Sequence, residues 1–401
     1  MKILIADSFS ADHLARLEAA GHDCLLDPSV SSDDLESGRL RGFDVLVVRS
    51  TKVTAAALEQ ADRLALVVRA GAGYNTIDWK AAAARSIYVA NTPGQNAVAV
   101  AELTMGLITA LDRRIPDAVA DLRAGRWRKS TYAKARGLAG RRLGIIGMGA
   151  IGLAVAARAR AMEMEVLTVA KPDRDPSVLG EMTRLGCSVV SDQPSLLAVC
   201  DVITIHVPAD PSTKGMVDRE FLEGMKDGAY LVNTSRGDVV DEEALLAVID
   251  EKELRVGLDV YADEPARGEA AFDSALAQHP RVYGTHHIGA STEQAQSAIA
   301  EAVVGVISDF ERGDVGNCVN MSAGEGTATL TVRHFNRVGV LAQVLGDLSS
   351  AGINVEAMEN RVFAGDEAAV AVIHVSGEVT DAILVAVAGH DDVIAVAAAA
   401  S

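Results

Sequence analysis

Leu143-Gly144-Ile145-Ile146-Gly147-Met148-Gly149-Ala150-Ile151-Gly152 joins an apolar run of strand type to a Gly-x-Gly-x-x-Gly loop. The alanine-rich stretch behind it, residues 153–161, suits a helix. Glycines alone mark ordinary turns, but strand, glycine loop and helix in that order are the context in which the pattern holds a dinucleotide. Small residues let the backbone approach the pyrophosphate, and the helix N-terminus offers unpaired N–H groups. Gly147, Gly149 and Gly152 are therefore candidate cofactor residues.

The second half of that fingerprint is missing. An acid is expected at the end of the next strand, about 20 residues on, to hold the adenosine ribose hydroxyls. Ala170 stands there, followed by Lys171, Asp173 and Arg174. The two cations suit a 2′-phosphate, and Asp173 could bend back to the ribose. NAD is the expected cofactor, with NADP as the alternative.

Working outward, short apolar runs at residues 2–6, 45–48, 64–68 and 88–90 alternate with helical stretches. A second series follows at 143–146, 166–169, 202–207, 230–232, 256–258 and 282–283. Each alternation predicts parallel strands joined by crossover helices, so two doubly wound, Rossmann-like α/β domains. Residues 98–122 read as one long bridging helix, ending in a basic stretch where Arg126, Arg128 and Lys129 suggest a solvated face or a dimer arm. A further helix is expected over 291–309. The tail then reads strand 328–332, helix 339–350, strands 353–363 and 368–375, helix 380–388 and strand 393–397. That βαββαβ order is ferredoxin-like. Met321-Ser322-Ala323-Gly324-Glu325-Gly326 has the small residues of a flexible joint.

Composition narrows the classes. The chain has 401 residues, 49% of them hydrophobic, and a net charge of −18, which argues against general nucleic-acid binding. No apolar run of 18 residues suggests a membrane span, and the first residues lack a signal-peptide pattern, so a cytoplasmic protein is expected. Cys24, Cys187, Cys200 and Cys318 are scattered, as reduced thiols would be, and no metal site is expected.

Three charged residues lie beside glycine or proline after the nucleotide loop: Arg236 before Gly237, Glu264 before Pro265, and His287 shortly before Gly289. Singly, each is an ordinary loop residue. Together, near the ends of successive strands of a nucleotide fold, they match what oxidising a 2-hydroxy acid requires. Arg236 can hold a carboxylate through two parallel hydrogen bonds. His287 can take the hydroxyl proton, and Glu264 can orient its ring.

These segments, with His206-Val207-Pro208, Val239-Val240-Asp241-Glu242, Leu258-Asp259-Val260 and His287-Ile288-Gly289-Ala290-Ser291-Thr292, resemble the D-isomer-specific 2-hydroxyacid dehydrogenases over nearly the whole chain. The resemblance implies a substrate-binding domain from residues 1–97 and 290–320, an NAD(P) domain over 98–289, and catalysis by Arg236, Glu264 and His287. Asp259 would hold the nicotinamide carboxamide. Ala150, Ile151, Pro208, Thr213, Thr234, Ser235, Gly289 and Ala290 would line the cofactor. His286 departs from the family, which usually has proline there.

Arg49, Ser50, Ala72, Gly73 and Asn96 fall in segments similar to the family's substrate-binding ones, although the Arg49 segment is one residue shorter. The tail, residues 327–401, resembles an ACT domain. There Asn336 and Asn354 would contact L-serine as an effector, and Val338 replaces the usual proline. The implied reaction is oxidation of 3-phospho-D-glycerate in serine biosynthesis by a homodimer or homotetramer. The alternatives are a glyoxylate or hydroxypyruvate reductase and, from another class, a nucleotide-sensing corepressor.

Overall fold

A computed structural model describes residues 1–265, 269–321 and 326–400. Residues 322–325 of the anticipated joint lie outside the described residues. The chain divides into two compact units, Met1–Asn320 and Met321–Ser401.

The first unit contains two parallel sheets. One comprises β1 (Lys2–Ile5), β2 (Asp23–Leu26), β3 (Val45–Val48), β4 (Leu66–Arg69) and β5 (Tyr88–Asn91) in the order β2-β1-β3-β4-β5. The apolar runs of β1, β3 and β4 are buried, as both faces of a doubly wound sheet require. The other comprises β6 (Arg142–Ile146), β7 (Glu165–Val169), β8 (Ser188–Val190), β9 (Val202–Ile205), β10 (Tyr230–Asn233), β11 (Arg255–Leu258) and β12 (Val282–Gly284). Its order is β12-β11-β10-β9-β6-β7-β8, so the winding reverses between β6 and β9. The glycine loop leaves β6 at that switch point, where open α/β sheets bind ligands.

Two strands, β2 and β8, were not anticipated. Both are edge strands, and their partly exposed residues give no continuous apolar run. The single helix expected over 98–122 is also corrected. It is two helices, Ala97–Arg113 and Ile115–Arg123, broken at Arg114, whose φ of 52° is left-handed. Apolar residues continue past the break in Ile115, Val119 and Leu122, but these are exposed, so the sequence period does not mark a buried face there; Pro116 suits a helix start.

The chain passes between the sheets twice. Helix Ala97–Arg113 packs Leu107, Ile108 and Leu111 with Leu143, Ile145, Tyr230 and Val232 of the second sheet. Helix Glu293–Glu311 returns Ile299, Val303 and Ile307 to Ile3, Val45, Leu66 and Val68 of the first. The tail forms an antiparallel sheet of β13 (Ala328–Phe335), β14 (Asn354–Val362), β15 (Ala368–Ser376) and β16 (Val393–Ala400) in the order β14-β15-β13-β16. Helices Val340–Ser350 and Asp381–Ala388 cover it, with Val344, Leu348 and Val387 against Leu330, Val332 and Ile373. This is the ferredoxin-like arrangement read from the sequence.

Candidate active site

The glycine loop has the shape a dinucleotide needs. At Gly147, whose φ is 97°, a Cβ would lie 2.2 Å from the His206 carbonyl oxygen. One at Gly152 would lie 2.1 Å from the Gly147 carbonyl oxygen. Both glycines are demanded by the chain's own packing. Gly149 differs: a Cβ there would meet nothing within 4 Å, and the residue caps helix Ala150–Ala161 with no side chain on its N–H groups. Backbone donors at Ala150 and Ile151 thus face an open cradle, which fits a pyrophosphate. At the ribose end Ala170, Lys171 and Asp173 are exposed, whereas the Arg174 side chain donates to the Val169 carbonyl at 2.7 Å.

The loop after β9 runs through His206 and exposed Pro208 to Thr213, whose hydroxyl donates to the Pro208 carbonyl at 2.6 Å. His206 Nε2 lies 2.9 Å from Thr204 Oγ1, and its Nδ1 is buried with no partner among the described residues. Burial pushes this imidazole down to about 3. After β10, the Thr234 and Ser235 hydroxyls are committed to the scaffold. Thr234 meets Thr104 at 2.9 Å and Ser235 donates to Asn233 Oδ1 at 2.7 Å.

His287, Glu264 and Arg236 belong to loops at the carboxyl ends of β12, β11 and β10. His287 Nδ1 lies 2.5 Å from Glu264 Oε1. A carboxylate there accepts from Nδ1–H, turns the ring and leaves Nε2 for a substrate proton. Glu264 Oε2 is buried and without a hydrogen-bond partner among the described residues. Burial lowers the Arg236 guanidinium below its usual range, while Glu264 opposes the shift. Neighbouring His286 is exposed. His287 has a left-handed φ of 53°, a conformation costing roughly 1–2 kcal/mol per residue.

That turn is held from one side. The His287 N–H donates to the Asp259 carbonyl at 2.8 Å, the Ile288 N–H to Asp259 Oδ1 at 2.8 Å and the Gly289 N–H to Oδ2 at 2.8 Å. Asp259, 1% exposed, thus spends both carboxylate oxygens on the histidine loop. Ala290 accepts from Gln296 Nε2 at 2.7 Å, and Gln296 Oε1 in turn accepts from Arg49 Nη1 at 2.6 Å.

The substrate side brings in a residue outside the expected set, Arg69. It ends β4 beside the Gly71–Gly73 turn. A Cβ at Gly71 would lie 1.5 Å from Arg69 Nη1, and one at Gly73 2.2 Å from Arg236 Nη2. Burial first, then Arg236 and Arg49, push the Arg69 guanidinium down to about 10 against the pull of Asp7. Arg69 Nε is buried with no partner among the described residues. Three guanidiniums therefore share one neighbourhood, a strong anion field. Ala72 is fixed by Asn91, whose side chain donates to its carbonyl at 2.6 Å. Asn96 begins helix Ala97–Arg113 without capping it, and a Cβ at nearby Gly94 would lie 3.9 Å from Ala150 Cβ. The substrate loops thus reach the nucleotide helix.

The Arg49 segment is less open than its resemblance to a substrate-binding segment implies. The backbone N–H groups of Arg49, Ser50 and Thr51 all donate to Asp7 Oδ2, and the Ser50 hydroxyl donates to Oδ1 at 2.8 Å. The Arg126–Lys129 stretch is also less free than expected, since Arg126 and Arg128 both pair with Asp121. In the tail unit, Asn336 donates to the Asp366 carbonyl and Asn354 to Glu356. Strand register places these asparagines at opposite ends of the sheet: Phe335 pairs with Ala368, and Asn354 with Ser376. Among the described residues no cluster could hold a metal ion, and no helix is long and apolar enough to cross a membrane.

Residues 105–289 match the NAD binding domain of the D-isomer specific 2-hydroxyacid dehydrogenases. The hydroxypyruvate reductase of Thermotoga maritima is 41% identical over 283 residues, 69% of this chain and 88% of that protein. The D-3-phosphoglycerate dehydrogenase of Methanocaldococcus jannaschii is 38% identical over 325 residues, 80% of this chain and 60% of that protein. A crystal structure of D-lactate dehydrogenase from Aquifex aeolicus, complexed with NAD and lactic acid, superposes with a TM-score of 0.67 at 27% identity, covering 80% of this chain and 100% of that one. The chain belongs to the D-isomer specific 2-hydroxyacid dehydrogenase family. It spans about 60% of the length of the curated phosphoglycerate dehydrogenases it matches.

Proposed function

We propose that this chain is an NAD-dependent D-2-hydroxyacid dehydrogenase whose substrate is 3-phospho-D-glycerate. Residues 98–289 would bind the cofactor, and residues 1–97 with 290–320 the substrate. Bound NAD supplies the acceptor for the hydride leaving C2 of the hydroxy acid. Arg236 clamps the substrate carboxylate, Nε2 of His287 takes the hydroxyl proton, and Glu264 steadies the imidazolium that results. The C2–H bond and the O–H bond both break, and the product is the 2-oxo acid.

The observation that carries the substrate choice is the convergence of Arg49, Arg69 and Arg236. One carboxylate occupies Arg236 and leaves two cations for a second anionic group. A hydroxypyruvate or glyoxylate reductase is favoured instead by Asp7, which already occupies the N–H groups of residues 49–51. An intact Arg–Glu–His set disfavours a corepressor, which needs no proton acceptor. The tail is proposed as an ACT domain. With Asn336 and Asn354 at opposite ends of one sheet, a serine site using both would combine two copies, consistent with a homo-oligomer.

Initial rates on 3-phosphoglycerate, glycerate and lactate, with NAD and with NADP, test the reading through nicotinamide absorbance. One charge-assisted hydrogen bond is worth about 1.5–3 kcal/mol, so kcat/KM for 3-phosphoglycerate should exceed that for glycerate at least roughly tenfold. Arg69→Gln should remove most of that preference. Equal kcat/KM for the two acids would reject the phosphorylated substrate.

A further inference from the structure

Thr285 has no place in the scheme above, yet its hydroxyl lies at a decisive point. Its Oγ1 donates to Asp259 Oδ1 at 2.6 Å, the same oxygen that accepts the Ile288 N–H. The other oxygen, Oδ2, takes the Gly289 N–H, and the absence of a Cβ there allows the approach: one would stand 3.0 Å from Oδ2. The two oxygens of one carboxylate therefore have different partners, and rotation about the Cβ–Cγ bond would break all three bonds together. On the N-terminal side of the turn the Asp259 carbonyl holds the His287 N–H. Asp259 thus fixes the peptide planes on both sides of a residue with left-handed backbone. A side chain rarely accepts that conformation unless its surroundings impose it.

We infer that Thr285 is a positioning residue, locking the rotation of the Asp259 carboxylate so that the His287 turn aims the imidazole at Glu264. Three features make the arrangement a lever on the ring. The turn is short, the strained residue is the histidine itself, and the clamp has no slack, because Asp259 is almost wholly buried. Loss of the hydroxyl leaves Oδ1 one donor short and the carboxylate held by the Ile288 and Gly289 N–H groups alone. The left-handed turn then relaxes, and the Nδ1 contact with Glu264 at 2.5 Å opens. Misplacing a reacting group by an ångström can cost about 100-fold in rate, so even partial relaxation is measurable.

The inference rests on the dehydrogenase reading for its kinetic consequence, but not for its structural one. The decisive measurement is the ring ¹⁵N shifts of His287 in the full chain, assigned by their absence in His287→Gln. Thr285→Val, which keeps the shape and removes the hydroxyl, should move these shifts, and Thr285→Ser should restore them. If Thr285→Val does not fold, Thr285→Ala against Thr285→Ser poses the same question. With substrate and NAD, kcat should fall about tenfold or more in the hydroxyl-free variant. Unchanged ring shifts would overturn the positioning role even if the enzyme is a dehydrogenase. Moved shifts in a protein that oxidises no hydroxy acid would uphold the clamp and reject the dehydrogenase reading. A matching loss in Thr285→Ser would also overturn the inference, since the hydroxyl would then not be what matters.

Discussion

Two histidines illustrate how local surroundings divide a single residue type. His287 is exposed and faces a carboxylate, whereas His206 has a buried Nδ1 without a partner among the described residues. Burial lowers His206 from an ordinary 6.5 to about 3, so the native protein keeps this ring neutral. The unfolded chain binds a proton below about 6.5 and the native state does not until about 3. Stability should therefore fall as pH drops through that window and level off above it. His206→Gln should flatten this part of the profile, measured as urea midpoints between pH 3 and pH 8 (about 25 °C). An unchanged slope would place the ring in water. The sequence made His287, Glu264 and Arg236 legible because each stands beside a turn former. It did not make Arg69 legible, because its burial and its nearness to Arg236 of the other sheet arise only when the two sheets fold together.

Elements were readable where burial is symmetric. A central strand such as β3 carries an unbroken apolar run, since helices cover both faces. Edge strands β2 and β8 lack that signal, and one left-handed residue, Arg114, divides a helix whose apolar period continues past it. The glycine loop permits a sharper test at this scale. Gly147→Ala and Gly152→Ala each drive a Cβ into a backbone carbonyl, so both should lower the thermal midpoint of the free protein. Gly149→Val meets open space and should leave the midpoint of the free protein nearly unchanged. Its side chain would instead fill the pyrophosphate cradle, weakening NAD at least tenfold, roughly 1.4 kcal/mol or more. Calorimetric titration with NAD, beside thermal melts, separates the two effects. Destabilisation by Gly149→Val equal to that of the other two would remove the argument for a cradle.

At the scale of the molecule, the tail's core is drawn from residues 328–396 alone. A chain of residues 1–320 should fold and keep kcat within about twofold, because each unit buries its own core. L-Serine should raise the thermal midpoint of the full chain and leave that of residues 1–320 unmoved. A serine shift in the shorter chain, or none in either, would remove the effector role from the tail. The ferredoxin-like order was readable because strands and helices alternate with distinct periods. That Asn336 and Asn354 lie at opposite ends of the sheet was not, since it depends on strand register.

The returning helix Glu293–Glu311 has a consequence for synthesis. The side of the first sheet formed by Ile3, Ile5, Val45, Val47, Leu66 and Val68 is covered only in part, by Leu14 and Leu17, until Ile299, Val303 and Ile307 arrive. Roughly 200 residues separate Asn91 at the end of that sheet from Glu293, and translation at about 5–20 residues per second takes roughly 10–40 s over them. For that interval a ribosome carries a half-built domain with an oily flank. The nucleotide domain can be complete before the domain that was begun first. Chaperone demand should therefore peak late in translation, and it should ease in a circular permutant that makes residues 293–311 before residue 1.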